Sequence, residues 1–255
     1  MPGEPTKLIF GILSTYERNG WHHPSITQFF AEMPMRIGGA YPVVGIANFI
    51  PAASGRNIFC RNYKDRGLDW ICMIDNDMVV PDNFLDTLKD APEDADIVVP
   101  AFYIWSQAEL KCTLCWGWDD APTGAGPAHL PPGFKELTKA GTGAIFIRPR
   151  VFQGMPYPYF KYQWNEDQGL AATEDIPFCL EARELGFKIY GNPSVVVGHY
   201  HSVELSSMFP WAEKLYNKNK VLDTVGVSGS ESARQDRTES PSVTQVAAAS
   251  PATAT

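Results

Sequence analysis

The run Trp70-Ile71-Cys72-Met73-Ile74, followed at once by Asp75-Asn76-Asp77, constrains this chain more than any other stretch. Five bulky apolar residues without interruption, bounded by charge, read as a strand buried on both faces inside a parallel sheet. Open α/β sheets bind ligands beyond the carboxyl ends of their strands, and the two aspartates stand there. Carboxylates two residues apart crowd their charges, which is costly unless a cation neutralises them. Oxygen donors suit a hard divalent ion, Mg²⁺ or Mn²⁺, of the kind that bridges to phosphate oxygens. An isolated Asp-Asn-Asp would read as a solvated turn, since both residue types favour turns. Its place after a buried strand favours the cation.

The rest of the chain supplies an α/β context. Leu8–Leu13 is a short apolar run opening onto Ser14-Thr15-Tyr16, a strand feeding a polar loop. Ala53-Ser54-Gly55-Arg56-Asn57 precedes a segment with helical spacing, Ile58, Phe59 and Tyr63, that Gly67 stops. Pro81-Asp82-Asn83 opens a helix carrying Phe84, Leu85 and Leu88, and 96–103 is a further strand. The stretch 116–132, rich in Gly, Pro and Ala, reads as an irregular loop, and 141–147 returns to strand. Thr173 reads as an N-cap with Glu174 and Asp175 in the first turn, and Gly186 ends that helix. Phe187–Tyr190 and Ser194–His199 are two more strands. Strands alternating with helices predict an α/β fold with a mainly parallel sheet flanked by helices.

At 255 residues the chain has ample length for one large core, and 44% hydrophobic with 20% charged residues is ordinary for a globular protein. No apolar stretch approaches the ~20 residues of a membrane span. The polar start and five scattered cysteines lead us to expect reduced thiols and a cytoplasmic setting. A net charge of −8 disfavours an electrostatically driven nucleic-acid binder. From about Gly226 the chain is Ser, Ala, Thr, Gln and Pro with few bulky apolar residues, a composition that cannot support a core. We expect one catalytic domain over 1–222 and a disordered tail over 223–255.

Several side chains have both a functional and a plainer reading. Acids such as Glu174 and Asp175 are stabilised at a helix start by ~0.3–1 kcal/mol, yet a carboxylate at a pocket mouth also suits a general base. His199 and His201 follow a strand at ligand-like spacing; His199 is expected to complete a metal site and His201 to be an ordinary strand-end residue. Cys112 and Cys115 form one CxxC without the further ligands of a zinc site. His22-His23 is expected only at the pocket entrance. The aromatic-rich middle, from Trp105 to Trp164, is read as core with some faces open to a sugar or base.

Taken in order, Leu8–Thr15, Gly55-Arg56-Asn57, Asp75-Asn76-Asp77, Gly141-Thr142-Gly143-Ala144, Thr173–Cys179 and Asn192–His199 resemble the GT-A glycosyltransferases. The similarity is to the family-2-like group of bacteria and bacteriophages and spans roughly residues 7–202. The resemblance implies a Rossmann-like GT-A domain, a Mn²⁺ or Mg²⁺ ion, and a nucleotide-sugar donor, UDP-linked. It implies Asp75 and Asp77 as the DxD pair, Asp77 the more direct metal ligand, and His199 completing the site. Ser14 and Thr15 would meet base and ribose, Arg56 and Asn57 base or diphosphate, and Gly141-Thr142-Gly143 the donor sugar. Asn76 sits among the donor-binding residues. Asp175 would deprotonate an acceptor hydroxyl in an inverting reaction, with Glu174 supporting it. The chain departs in having Asn76, not an acid, between the aspartates, and Pro177 just after the base, tolerated only near a helix start.

The expected activity is therefore metal-dependent transfer of a hexose to a hydroxyl acceptor: glycan, lipid, protein or modified nucleobase. A nucleotidyltransferase would use similar metal–phosphate logic, but residues 11–16 lack a glycine-rich, lysine-bearing loop. A non-catalytic carbohydrate-binding scaffold is the remaining alternative, disfavoured by the intact acid and histidine set.

Overall fold

A computed structural model of the chain describes residues 6–14, 22–37, 42–46, 51–106, 111–122, 125–165 and 169–200. The first half runs β1 (Leu8–Leu13), α1 (Pro24–Ile37), β2 (Val43–Ile46), α2 (Ala52–Tyr63), β3 (Trp70–Asp75) and β4 (Met78–Val79). A 3₁₀ turn (Phe84–Leu88) leads to β5 (Ile97–Ala101), β6 (Tyr103–Ser106), β7 (Lys111–Leu114) and β8 (Trp116–Gly117). Then come β9 (Lys135–Glu136), β10 (Lys139–Ala140), β11 (Ala144–Ile147) and α3 (Pro149–Gly154). The described chain closes with β12 (Gln163–Asn165), β13 (Gly169–Ala172), α4 (Asp175–Glu184), β14 (Ile189–Val196) and β15 (Gly198–His199).

Among the described residues, seven strands form one sheet in the order β2-β1-β3-β11-β5-β14-β9. β2, β1 and β3 are parallel, and β14 is parallel to β5. β11 runs against both neighbours, β3 and β5, and β9 runs against β14. Five strands thus share one direction, giving the mixed α/β sheet, mainly parallel and flanked by helices, that the sequence predicts.

Alternation along the strands divides the core into two layers. Trp70, Cys72 and Ile74 of β3 join Phe10, Phe29 and Phe146 on the α1 side. Ile71 and Met73 turn the other way, with Phe59 of α2, Phe152 of α3 and Phe178 of α4. Continuing that alternation, Asp75 belongs to the α2 face, and this single fact decides what it meets.

Several elements differ from the sequence reading. α1 and β2 are absent from it, although Ile26, Phe29, Phe30 and Met33 of α1 stand at helical spacing. α2 begins at Ala52, so Arg56 and Asn57 lie within the helix, and it ends at Tyr63, ahead of the left-handed Gly67 (φ +67°). The helix expected after Pro81 is one 3₁₀ turn. The stretch read as loop after Trp116 contains β8 and a 3₁₀ turn at Pro127–His129. α4 begins at Asp175 with Glu174 at the cap position, and the Thr173 hydroxyl donates to Asp175 Oδ1 (2.6 Å) instead of capping a backbone N–H. The two strands expected over 187–199 are one long β14, irregular between Asn192 and Val196, plus the short β15. The expected domain boundary at 222 and the tail lie outside the described residues.

The irregularity in β14 is fixed by Asn192, which is 2% exposed. Its Nδ2 donates to the carbonyls of Asp86 (3.0 Å) and Thr87 (3.1 Å), and its Oδ1 accepts from Ser194 N–H (2.9 Å). The side chain therefore ties the 3₁₀ turn to the strand just before it turns toward His199. Replacing Asn192 by Ala removes three hydrogen bonds, of which the one to Thr87 O is buried, and at ~1–3 kcal/mol for an unsatisfied buried group the loss should be about 1–3 kcal/mol. Urea unfolding of Asn192→Ala checks this, and a midpoint equal to wild type would contradict it.

Candidate functional site

The carboxyl end of β3 is held by backbone bonds from four directions. Asp75 N–H donates to Gly143 O (2.8 Å) and Asn76 N–H to Leu13 O (2.9 Å). Asn76 O accepts from His23 N–H (2.7 Å), and Asp77 O accepts from Tyr200 N–H (2.8 Å). Asn76 is 2% exposed and sits on the inner side of the turn. His23, expected only at an entrance, directly braces the triplet. No composition signal distinguishes such a backbone brace.

Beneath this turn lies Arg56, also 2% exposed. The buried stripe of α2 reads Ala53, Arg56, Asn57, Phe59 and Cys60, a helical period with two polar members. Arg56 Nη2 donates to both oxygens of Asp75 (2.8 and 3.0 Å), Nη1 to Thr142 O (3.1 Å), and Nε to Glu174 Oε1 (3.3 Å). One guanidinium thus joins the β3 exit, the 141–143 segment and the start of α4. Loss of solvent pulls its pKa down, but Asp75 and Glu174 outweigh that and hold it above its ordinary value. Desolvation pushes the Asp75 carboxyl up to about 6 against the pull of Arg56. With 29% of its side chain exposed and both oxygens on a guanidinium, Asp75 is an ionised partner at neutral pH.

Asn57 is spent in a similar way. Its Nδ2 donates to Phe160 O (2.8 Å) and its Oδ1 accepts from Phe160 N–H (2.9 Å), so the amide clamps a distant backbone. The structure therefore turns Arg56 and Asn57 inward, toward the protein's own groups and not toward a base or diphosphate. Their burial stripe was legible; what satisfies it was not.

Asp77 and His199 meet at the open side of the turn. β15 pairs with β4, placing His199 opposite Met78, and His199 Nε2 lies 3.5 Å from Asp77 Oδ2. Both side chains are about one-quarter exposed, at 24% and 22%. The bond to Asp77 raises the imidazole's pKa above its ordinary value despite partial burial, and a backbone bond at Tyr103 adds to the shift.

Asp175 opens α4, half-buried, with its Oδ1 accepting from the Thr173 hydroxyl and from Ile176 N–H (3.0 Å). Glu174 is 7% exposed and committed to Arg56, so it acts as a buried counter-ion. Gly141 and Gly143 pack closely on the core: a Cβ on Gly141 would stand 2.8 Å from the Phe102 ring and displace it, and one on Gly143 would stand 3.0 Å from Met78 Sδ, which would have to shift slightly. Thr142 is 4% exposed and contributes its carbonyl to Arg56. The close approach these glycines permit is to the protein's own core. Ser14, just past β1, has a buried Oγ without a hydrogen-bond partner among the described residues. Thr15 and His201 lie outside the described residues. All five cysteines are free, with Cys112 exposed and burial pushing the Cys115 thiol up to about 12.

Among the described residues no group of three or more His, Cys, Asp or Glu side chains is gathered as for a metal. The expected trio is divided: Asp75 goes to Arg56, while Asp77 and His199 face each other. An oxygen and an imidazole nitrogen 3.5 Å apart fit half of a divalent-ion site, the remainder to come from substrate phosphate and water. Sites for phosphate-bound ions are usually built this way, from one or two protein groups.

Removing the cation of the buried network should be costly. Arg56→Ala leaves Asp75 and Glu174 desolvated without a partner, and breaking buried pairs in this way costs about 3–5 kcal/mol. The double variant Arg56→Met/Glu174→Gln leaves a smaller charge imbalance and should recover part of the loss. Chemical denaturation of the three proteins checks both expectations, and an Arg56→Ala protein as stable as wild type would refute the network's role.

No family model matches the chain, and no curated protein matches it. Among solved structures, the chain is similar to the crystal structure of A197 from STIV, with TM-score 0.55 and 17% identity over 77% of this chain and 87% of that one. Weaker likenesses include GalNAc-T7 with UDP, GalNAc and Mn²⁺ (TM-score 0.45, 12% identity, 79% of this chain and 45% of that one). Another is CMP:2-keto-3-deoxy-manno-octonic acid synthetase complexed with CTP (TM-score 0.42, 12% identity, 84% of this chain and 100% of that one). The first shows a shared fold, and at TM-scores below 0.5 the other two add nothing to it.

Proposed function

We propose that this protein is a GT-A-type glycosyltransferase that transfers a sugar from a nucleotide-diphosphate donor to a hydroxyl acceptor with inversion. The observation that carries this reading is the Asp75-Asn76-Asp77 turn at the carboxyl end of β3, with His199 brought to Asp77 by β15. Charge adds support. Arg56 is one cation against Asp75, Glu174 and Asp77, so the cluster keeps a negative excess that a divalent ion would offset.

In this reading Asp77 and His199 hold Mn²⁺ or Mg²⁺, which supplies charge neutralisation of the leaving diphosphate. Asp75 stays on Arg56 and fixes the turn. Ser14, whose buried hydroxyl lacks a partner among the described residues, stands at the β1 exit as a donor to the nucleotide. Asp175 takes the proton of the acceptor hydroxyl. As that O–H bond breaks, the oxygen attacks the anomeric carbon from the face opposite the phosphate, and the bond from that carbon to the phosphate oxygen breaks. The nucleoside diphosphate leaves. The hydrogen bonds on Asp175 Oδ1 orient the carboxylate and leave proton transfer to Oδ2.

Two variants test the assignment. Asp77→Asn should abolish Mn²⁺-dependent binding of UDP in calorimetry while keeping the unfolding midpoint, and unchanged metal-dependent affinity would remove Asp77 as the ligand. Asp175→Asn should bind UDP and Mn²⁺ as wild type yet lose turnover of the donor by 10²-fold or more, the scale of a general base. Retained turnover would leave Asp175 only its place in the first turn of α4.

A further inference from the structure

The opposite end of the sheet from the candidate functional site carries a cleft of its own. β3 begins there at Trp70 and finishes at Asp75, so the two places are separated by the length of the strand, ~17 Å at about 3.3 Å per residue. The cleft lies between the end of α2, the start of β3 and the start of α3. Its volume is about 400 Å³, and Lys64, Asp65, Asp69, Arg148, Arg150 and Gln153 line it. Small-molecule sites have volumes of ~300–1,000 Å³. None of these side chains has a part in the proposed transfer.

Two arginines of this cleft are fixed in place by the fold. β11 runs against β3 with Ile147 opposite Ile71, which delivers Arg148 to Trp70. The Arg148 guanidinium lies over that ring, 4.3 Å from its centroid, and its Nε donates to Ala95 O (2.8 Å). Trp70 is 5% exposed, so the platform belongs to the core. Arg150, in the first turn of α3, donates from Nε to Asp96 Oδ1, and the other oxygen of Asp96 accepts from Lys188 N–H (3.0 Å). Each guanidinium is thus anchored through Nε. Among the described residues neither makes a hydrogen bond through its terminal nitrogens. Loss of solvent, and then the charge of Arg150, pull the Arg148 pKa below its ordinary value.

Donors outnumber acceptors around the cleft. Asp65 accepts from Lys64 Nζ (2.9 Å) and Gln153 Nε2 (3.3 Å), and Asp69 accepts from Lys7 N–H (2.7 Å). Gln153 Nε2 also donates to Lys64 O (2.9 Å). The carboxylates are engaged, while the spare capacity sits on two guanidinium forks. Lys64, Arg148 and Arg150 are offset in formal charge by Asp65, Asp69 and Asp96, so surplus N–H groups, more than surplus charge, select the occupant. A saccharide hydroxyl must donate as well as accept, and the spare groups here only donate. A carboxylate is satisfied by a single fork. A tetrahedral oxyanion has oxygens enough to accept from both.

We infer that this cleft binds a phosphate group, gripped between the terminal nitrogens of Arg148 and Arg150. The site is independent of the glycosyltransferase reading and stands or falls without it. The Trp70 stack sets the plane of Arg148 before binding, so little side-chain freedom is lost when the ligand arrives.

Calorimetry and thermal unfolding of the full chain without divalent metal test this. The probes are inorganic phosphate, glycerol 3-phosphate and vesicles of phosphatidic acid in phosphatidylcholine, with sodium chloride at equal ionic strength as the control for screening. At least one phosphate probe should bind saturably and raise the unfolding midpoint. Its affinity should fall roughly tenfold or more in Arg148→Gln and in Arg150→Gln, the scale of a lost hydrogen bond to a charged group. Arg148→Lys keeps the charge without the fork and should also weaken binding. The Arg150 side chain is 55% exposed, so Arg150→Gln should fold and carries the test if Arg148→Gln does not. Binding of the soluble probes assigns a free ligand, binding of the vesicles alone assigns a lipid headgroup, and both support the site. No saturable binding, an affinity unchanged in Arg150→Gln, or an effect that chloride reproduces overturns it.

Discussion

A guanidinium without solvent holds the functional end of this protein together. Arg56 sits where a charge is most expensive, and it is tolerable there only because Asp75, Glu174 and the carbonyl of Thr142 engage all three of its nitrogens. The stability such a cluster adds over an apolar core is small. What it provides is registry: the end of β3, the glycine-bounded turn at 141–143 and the start of α4 cannot shift independently while they share one planar donor.

Its neighbour Asn57 extends that registry outward. By clamping Phe160 it fixes the root of the β12–β13 ribbon from the same helical turn. Two adjacent residues of α2 therefore tie the turn after β3 and the root of the β12–β13 ribbon to one helix. Asp77 and His199 remain outside this buried set, each about one-quarter exposed and 3.5 Å apart.

The strand Trp70–Ile74 and its acidic exit were legible because an unbroken apolar run admits few alternatives. So was the arrival of His199 after an apolar strand. The division of labour inside the acid set was not. Asp75 and Asp77 look equivalent in sequence, but β3 runs through Asp75, so the pleat carries it to the α2 face with Ile71 and Met73, whereas Asp77 lies in the turn beyond. Arg56 and Asn57 stood in a buried helical stripe, and polar residues there require partners; sequence does not say whether a ligand or the protein supplies them. The glycines at 141 and 143 illustrate the same ambiguity, since close approach to Phe102 and Met78 favours glycine just as close approach to a sugar would. α1 and β2 went unread although Ile26, Phe29, Phe30 and Met33 stand at helical spacing; α1 is capped by His23 Nδ1, which accepts from Ser25 N–H (3.2 Å) and is not a usual cap residue, and it carries Pro34 in its interior.

The account rests on Asp75 serving the fold while Asp77 and His199 serve the ion. A crystal structure of the protein with UDP and Mn²⁺, with anomalous data at the manganese edge, reads this out directly. The account predicts one anomalous peak within about 2.0–2.3 Å of an Asp77 carboxylate oxygen and of the His199 imidazole, as ligand distances for such ions require, with both Asp75 oxygens still on Arg56. A peak on Asp75 with Arg56 released, or an ion held away from His199, would contradict it.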